Sequence, residues 1–337
     1  MFEYCGVIHV HSTYSDGSGS IPTILNAAHQ AKLDFLILTD HNSLRARSEG
    51  WEGWHGKTLL MVGDEVSGRR GHCLAIGTQQ RVNHRQDHQG ILNDIHCQNG
   101  LSFIAHPHGT YRPLFSEKNH SWENWAADNS TGLELWSYMF DWIKDFRYHR
   151  FWNHYKYPHR HITGPDPQTL LKWDQLCQKR RCVAIGGIDA HARKYPLLPF
   201  VVFPYADAFR TLHTRIYLKS PLTGNKQEDM GAILHALQQG HCYISYDGLM
   251  SGAGIRFQTA DEQFIMGDEA PFQSPTQLDI LLPQKAHLSI ICNGQTIAQK
   301  ETQHHTFLAE KPGVYRIEAR IQDSPWIYTN PIYLRAQ

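Results

Sequence analysis

Near the start of the chain, Val7-Ile8-His9-Val10-His11-Ser12-Thr13-Tyr14-Ser15-Asp16-Gly17 sets two imidazoles and a carboxylate just past a β-branched run. Residues i and i+2 of an extended strand share a face, so His9 and His11 can reach one cation while Asp16 returns from the Ser/Gly turn. A His-x-His pair alone is common in packed or solvated strands. Here the pattern recurs along the chain. Asp40 and His41 follow the run Phe35 to Thr39, Glu65 follows Leu59 to Asp64, and His106 and His108 follow Leu101 to Ala105. Glu134 lies within Gly132 to Trp136, and Asp189 and His191 follow Val183 to Ile188. Imidazole mixed with carboxylate, without thiolate, suits Zn, Mn or Fe and argues against a closed structural zinc site. About eight ligands exceed the needs of one four-coordinate ion, so at least two ions are expected, with Glu65 a natural bridge through its two oxygens. Two ions at about 3.5 to 4 Å can clamp an ester oxygen and bring the pKa of a bound water toward about 7.

The elements that must position these residues read as βα units around a largely parallel sheet. Seven strands are expected: Val7 to His11, Phe35 to Thr39, Leu59 to Asp64, Cys73 to Gly77, Leu101 to Ala105, Gly132 to Trp136 and Val183 to Ile188. That number invites a barrel, whose functional side chains sit at the carboxyl ends of the strands, where the candidate ligands fall. Helices are expected at Pro22 to Leu33, Gly90 to Gln98, Gln168 to Arg180 and Gln227 to Gln239. Residues 110–167 form an aromatic-rich insertion, read as an elaborated loop region around one short strand. Its Trp122, Trp125, Trp136, Trp142 and Trp152 either wall a substrate cleft or pack against the barrel. Beyond residue 247 the style changes to short strands, at Ile255 to Phe257, Leu278 to Leu282, Leu288 to Cys292, Thr296 to Lys300, Val314 to Ile321 and Ile327 to Leu334. These read as a small β-sandwich over 248–337, after an α/β domain over 1–247. The aromatics of the last strand are expected to dock against the barrel or their own sheet.

At 337 residues the chain exceeds the size at which single cores stop growing, about 250 to 300 residues, which also argues for two domains. Thirty-two basic and 32 acidic side chains give zero formal charge, which argues against a broad basic face that grips long nucleic acid. Seven scattered cysteines without a CxxC pair suggest neither a disulfide framework nor a zinc ribbon. With no signal-peptide pattern and no 18-residue apolar run, the chain reads as soluble and cytoplasmic, without a membrane partner. There is no phosphate-binding glycine loop and no GxSxG nucleophile elbow.

HVHSTYSDG, LTDHN, GDEV with GHCLAIG, AHPH and GGIDAH, in that order, resemble the polymerase and histidinol phosphatase (PHP) superfamily over roughly residues 1 to 245. The resemblance implies a distorted seven-stranded (β/α) barrel, related to the TIM barrel, that holds two or three divalent ions and hydrolyses phosphoesters. It places His9, His11, Glu65 and Asp189 around one ion, Glu65 and His106 at a second, and Asp16, His41 and His191 at a third. The chain departs from the pattern in two places. Asp16 stands where many relatives carry His, as in one branch of phosphoesterases. A further His that trinuclear relatives supply after the segment matching Leu133 to Ser137 is missing, where this chain reads Tyr138-Met139-Phe140-Asp141. Asp141, His149 and His154 lie nearby as substitutes, though each reads as an ordinary loop residue.

Among the remaining residues, His72 is assigned a proton-donor or supporting role at the metals, and Asp40 a hydrogen-bonding role because strand alternation points it away from His41. Arg193 is the candidate phosphate contact, with Arg112 a weaker one. His108 and Glu134 are candidates for supporting or substrate contacts. His159 to His161 and His304-His305 read as exposed loop residues. The expected reaction is attack of a metal-bridging hydroxide on the phosphorus of a small phosphorylated metabolite or nucleotide, with Arg193 neutralising phosphate charge and His72 or a bound water protonating the leaving group. The same rim could hydrolyse a carbamate, amide or carboxylic ester, and a metal-stabilised, non-catalytic binding protein is the third reading.

Overall fold

The computed structural model describes residues 1–111, 118–144, 146–147, 149, 151–194 and 201–336; Arg112 lies outside them. Among the described residues the strands fall into a 13-stranded sheet, a five-stranded sheet and two small two-stranded ribbons. Nine strands carry the argument: β1 (Phe2–Val10), β2 (Phe35–Leu38), β3 (Thr58–Val62), β4 (Asp64–Gly68), β5 (Gly71–Ile76), β6 (Leu101–Ala105), β7 (Gly132–Ser137), β8 (Val183–Gly187) and β9 (Leu212–Leu218).

The expectation of a largely parallel sheet is only half right. The runs β1–β2–β3 and β6–β7–β8 are parallel, but β4, β5 and β6 are antiparallel neighbours, and β9 pairs antiparallel with β1. Only Arg69 and Arg70 separate β4 from β5. So short a link can join only antiparallel strands, because a parallel return needs a crossover. The run expected as one strand, Leu59 to Asp64, divides at Gly63, where the chain passes from the large sheet into the five-stranded one. A Cβ at Gly63 would lie 2.8 Å from the Ala75 carbonyl oxygen, so the crossing needs glycine. Sequence reading missed β9 and a second strand, Cys242–Tyr246, that pairs with it.

The two sheets meet edge to edge in two places. Val10 bridges Ala190, with His11 N donating to Ala190 O at 3.0 Å and Ile188 N to Ile8 O at 3.0 Å. His41 bridges Glu65, with Asn42 N donating to Glu65 O at 3.1 Å. These seams bring the carboxyl ends of β1, β2, β6 and β8 to one rim.

The outer helices form where composition predicts. In Ile21–Ala31, Pro22 occupies the first turn and Ile21, Ile24, Leu25 and Ala28 form the buried stripe. Pro167–Lys179 is capped by the Asp166 carboxylate, which accepts from Gln168 N and Thr169 N. Lys226–Gln239 ends at Gly240, φ +77°. Among the described residues no helix is long and apolar enough to cross a membrane.

Residues 110–167 are more than a loop around one strand. They include β7 and the helices Tyr138–Ile143 and Phe151–Lys156. Trp122, Trp136 and Trp142 are buried while Trp152 is exposed. Trp136 packs against Tyr246 and Tyr328, and Trp142 against Phe203 and His154.

In the C-terminal part, the two strands expected at 278–282 and 288–292 are one, Thr276–Cys292. Pro283 is tolerated because the register with its neighbour shifts between Leu281 and Ala286, where no ladder bond is required. The strand expected at 296–300 extends over Gln295–Ala309. The strand expected at 327–334 divides into Ser324–Thr329 and Ile332–Arg335 around Asn330-Pro331. The Asn330 amide accepts from Ala184 N at 2.8 Å and donates to Ala184 O at 2.9 Å, fastening this turn to β8. A second buried core, including Phe257, Leu278, Ile290, Ile317 and Trp326, belongs to this part of the chain. The 13-stranded sheet runs unbroken into it, because Cys242–Tyr246 pairs with Ser324–Thr329.

Candidate metal centre

Three of the ligand candidates sit where regular backbone gives out. His9, His106 and Asp189 have φ of +70°, +29° and +55°, a region L-residues seldom occupy. His9 also marks a register shift between β1 and β2, so its side chain joins that of His11 through a bulge rather than through simple strand alternation. Such strain persists only where surrounding bonds over-determine it, and it clusters at functional sites.

The Glu65 carboxylate is the hub. Its Oε2 lies 3.2 Å from His9 Nε2, 3.1 Å from His11 Nε2 and 3.1 Å from His41 Nδ1, and its Oε1 lies 2.7 Å from His72 Nδ1 and 3.1 Å from His106 Nε2. Asp189 Oδ1 stands 3.4 Å from His9 Nε2 and 3.2 Å from His11 Nε2. On the solvent side, Asp16 Oδ1 lies 3.0 Å from His191 Nε2 and 3.6 Å from His41 Nε2. Three sets offer ligand atoms within 4.8 Å of one another: His9, His11, Glu65 and Asp189; His11, Asp16, His41 and His191; and His41, Glu65 and His72.

His9 Nε2, His11 Nε2 and Glu65 Oε2 are buried, point at one another and make no hydrogen bond. A buried polar atom left that way costs about 1–3 kcal/mol, and one cation between them satisfies all three. The residues therefore fit a divalent metal.

Electrostatics agree. Burial raises the Glu65 carboxyl, but His9, His72 and His41 outweigh it and hold it well below the usual carboxylate range. Asp189, raised by burial, is likewise held low by His9 and His191. Burial opposes charge on His11, yet Asp189 and Glu65 hold its imidazole up at about 9. At His41 burial wins over Glu65, and the ring falls to about 4.

Supporting residues lock the ligands. Glu134, fully buried, accepts from His9 Nδ1 at 3.0 Å through Oε1 and from His106 N at 2.6 Å through Oε2. Since a carboxylate only accepts, His9 carries a proton on Nδ1 and turns Nε2 to the cluster. Asp40 accepts from Ser12 N, Ser12 Oγ and Ser15 Oγ at 2.6–2.7 Å, fixing the turn between His11 and Asp16. Arg193 donates to Asp16 Oδ2 at 2.6 Å and is half exposed at the rim. His72 is in the cluster on Glu65. His108 is not; it pairs with Thr169 Oγ1 at 2.7 Å and stacks on Trp125.

None of the three substitutes considered for the missing histidine comes to the cluster. Asp141 accepts from Trp136 Nε1, Thr163 N and Gly164 N and pairs with Lys144. His149 is exposed, and His154 stacks on His161. His120, which sequence reading passed over, does come, with its ring 5.0 Å from that of His72. No motif marks it. A cavity of about 90 Å³ adjoins the cluster, lined by His106, Glu134, Ser137, Phe140 and Lys144 among others.

No family model matches the chain, and no curated protein matches it. Solved structures similar to it include the following two. A two-domain protein from Bacteroides vulgatus containing a predicted PHP-like metal-dependent phosphoesterase is 15% identical, with a TM-score of 0.43 over 98% of this chain and 95% of that one. A protein from Bifidobacterium adolescentis described as a candidate metal-dependent phosphoesterase is 14% identical, with a TM-score of 0.38 over 58% of this chain and 92% of that one.

Proposed function

We propose that this chain is a metal-dependent phosphoesterase of the polymerase and histidinol phosphatase kind, acting on a small phosphorylated metabolite or nucleotide. The observation that carries the reading is Glu65, a buried carboxylate within 3.2 Å of five imidazoles from four other segments. Such a concentration of buried ligands is costly unless a cation resolves it. In this reading the two sheet seams close a distorted seven-stranded barrel over residues 1–247, and residues 248–337 form a β-sandwich whose sheet continues from it.

His9, His11, Glu65 and Asp189 hold one ion, and Asp16, His41 and His191 hold another. Divalent ions there supply Lewis acidity toward a phosphoryl oxygen and a water of lowered pKa. Glu134 keeps His9 in the ligating tautomer, and Asp40 keeps the 12–16 turn closed. Arg193, half exposed beside Asp16, presents a guanidinium to a phosphate arriving at the rim. His72 faces Glu65 Oε1 at 2.7 Å on the same side as His106, and a bound water protonates the departing oxygen. The adjoining cavity, small and partly apolar, takes the part of the substrate next to the phosphate.

The test is hydrolysis of a phosphomonoester, a phosphodiester, a carboxylic ester and a carbamate by chelator-stripped protein reloaded with Mn or Zn, beside Asp189→Ala. Phosphate release that returns with metal and disappears in Asp189→Ala is the expected result. Turnover confined to the carboxylic ester or carbamate transfers the site to carbonyl chemistry. No turnover of any substrate by metal-loaded protein counts against an enzyme of either kind.

A further inference from the structure

We infer that His120 is a metal ligand, completing with Glu65, His72 and His106 the ion position that the missing histidine after β7 leaves short. The inference rests on the metal-dependent reading of the same site.

The chain reaches this place by backbone ties. His120 N donates to Gly109 O at 2.8 Å and Trp122 N to Pro107 O at 2.9 Å, so residues 120–122 return along the loop that carries His106. Trp122 is buried and stacks on His88 with centroids 3.8 Å apart, which anchors the segment. His120 is thereby set opposite His72, across the Oε1 side of Glu65. The three rings form a triangle: His72–His120 5.0 Å, His72–His106 5.1 Å and His106–His120 6.1 Å.

Imidazoles sharing a tetrahedral ion at bond lengths of about 2.0–2.1 Å place their ring centroids roughly 5 Å apart. Two sides of the triangle already have that length. Phe140, in the segment where a further His was expected, packs its ring 4.5 Å from that of His106 and 6.3 Å from that of His120. Phenylalanine cannot ligate, so this segment supplies no donor. One carboxylate oxygen and three imidazoles make a donor set suited to Zn or Mn.

The experiment counts ions by titrating chelator-stripped protein with Zn and with Co(II), following affinity by chelator competition and ligand field by visible absorption. His120→Ala is expected to lose one ion per chain, or to bind it about 100-fold more weakly, while His120→Asp, which restores an oxygen ligand, retains it. In the wild type, metal loading is expected to slow diethyl pyrocarbonate modification of His120, read by peptide mass mapping without any variant. Unchanged stoichiometry, affinities and Co(II) spectrum in His120→Ala would overturn the inference, and so would equal modification of His120 with and without metal. If that occurs while the wild type still binds metal and releases phosphate, only the His120 assignment falls. A wild type that binds no divalent metal removes the function reading as well.

Discussion

Substituting Glu134→Gln tests the idea that this carboxylate sets the tautomer of His9. Glu134 is fully buried and faces two donors, His9 Nδ1 at 3.0 Å and His106 N at 2.6 Å. Glutamine has the same shape but only one accepting oxygen, and its NH2 must face one of those donors. If it faces the His106 amide, a buried N–H loses its acceptor, costing about 1–3 kcal/mol. If it faces His9, the ring must accept at Nδ1 and move its proton to Nε2, the atom turned toward Glu65 and Asp189. Metal then competes with that proton, and affinity is expected to fall about 10- to 100-fold, or about 1.4 to 2.7 kcal/mol. Chelator competition measures the affinity, and thermal unfolding of chelator-stripped protein measures the stability. One of the two must drop. Metal affinity within twofold of wild type together with an unchanged melting temperature would refute the reasoning.

Gly187→Ala should act on the same carboxylate from the other side, because a Cβ there would lie 1.7 Å from Glu134 Oε1 and 3.1 Å from His9 Cβ; metal affinity is expected to fall at least as far as in Glu134→Gln, measured by the same competition. Metal affinity should rise with pH, because His11 is held at about 9 in the metal-free site and must lose a proton to ligate; near pH 7 the gain is about tenfold per unit for this one proton, flattening above about 9. The complementary effect falls on chelator-stripped protein: a histidine held above its unfolded value stabilises fully below about 6.5, and that stability is lost as the pH rises through about 9, which unfolding in urea at a series of pH values would detect. Asp174→Ala removes both contacts of a carboxylate with buried Arg316, 2.8 Å to Nε and 2.9 Å to Nη2, leaving Glu318 to hold the guanidinium. A loss of about 3 kcal/mol in urea unfolding is expected, with the metal count unchanged.

How much of this was legible in the chain follows from the range over which each feature is decided. Leu101–Ala105 was placed to the residue, and Ile21–Ala31 and Lys226–Gln239 to within a residue or two, because apolar period, Pro at the first turn and Gly at the C-cap act within a few positions. The candidate ligands could be named for a similar reason. Metal chemistry admits few side-chain types, so His, Asp and Glu at or just past the expected strand ends could be singled out, but the same rule also caught Asp40, His108 and Glu134, and it was the family resemblance that divided the rest among ions.

Tertiary structure alone decided which edges pair, that β9 lies antiparallel to β1, and that Gly63 passes the chain between sheets. It also decided that Glu134 orients His9 across 125 positions, that His108 turns away to Thr169, and that His120 returns over His106 beside Phe140. The physical reason is the same in each case. A hydrogen bond or a ring contact depends on where two distant segments come to rest, and that is settled by burying the whole core at once rather than by any short stretch of residues.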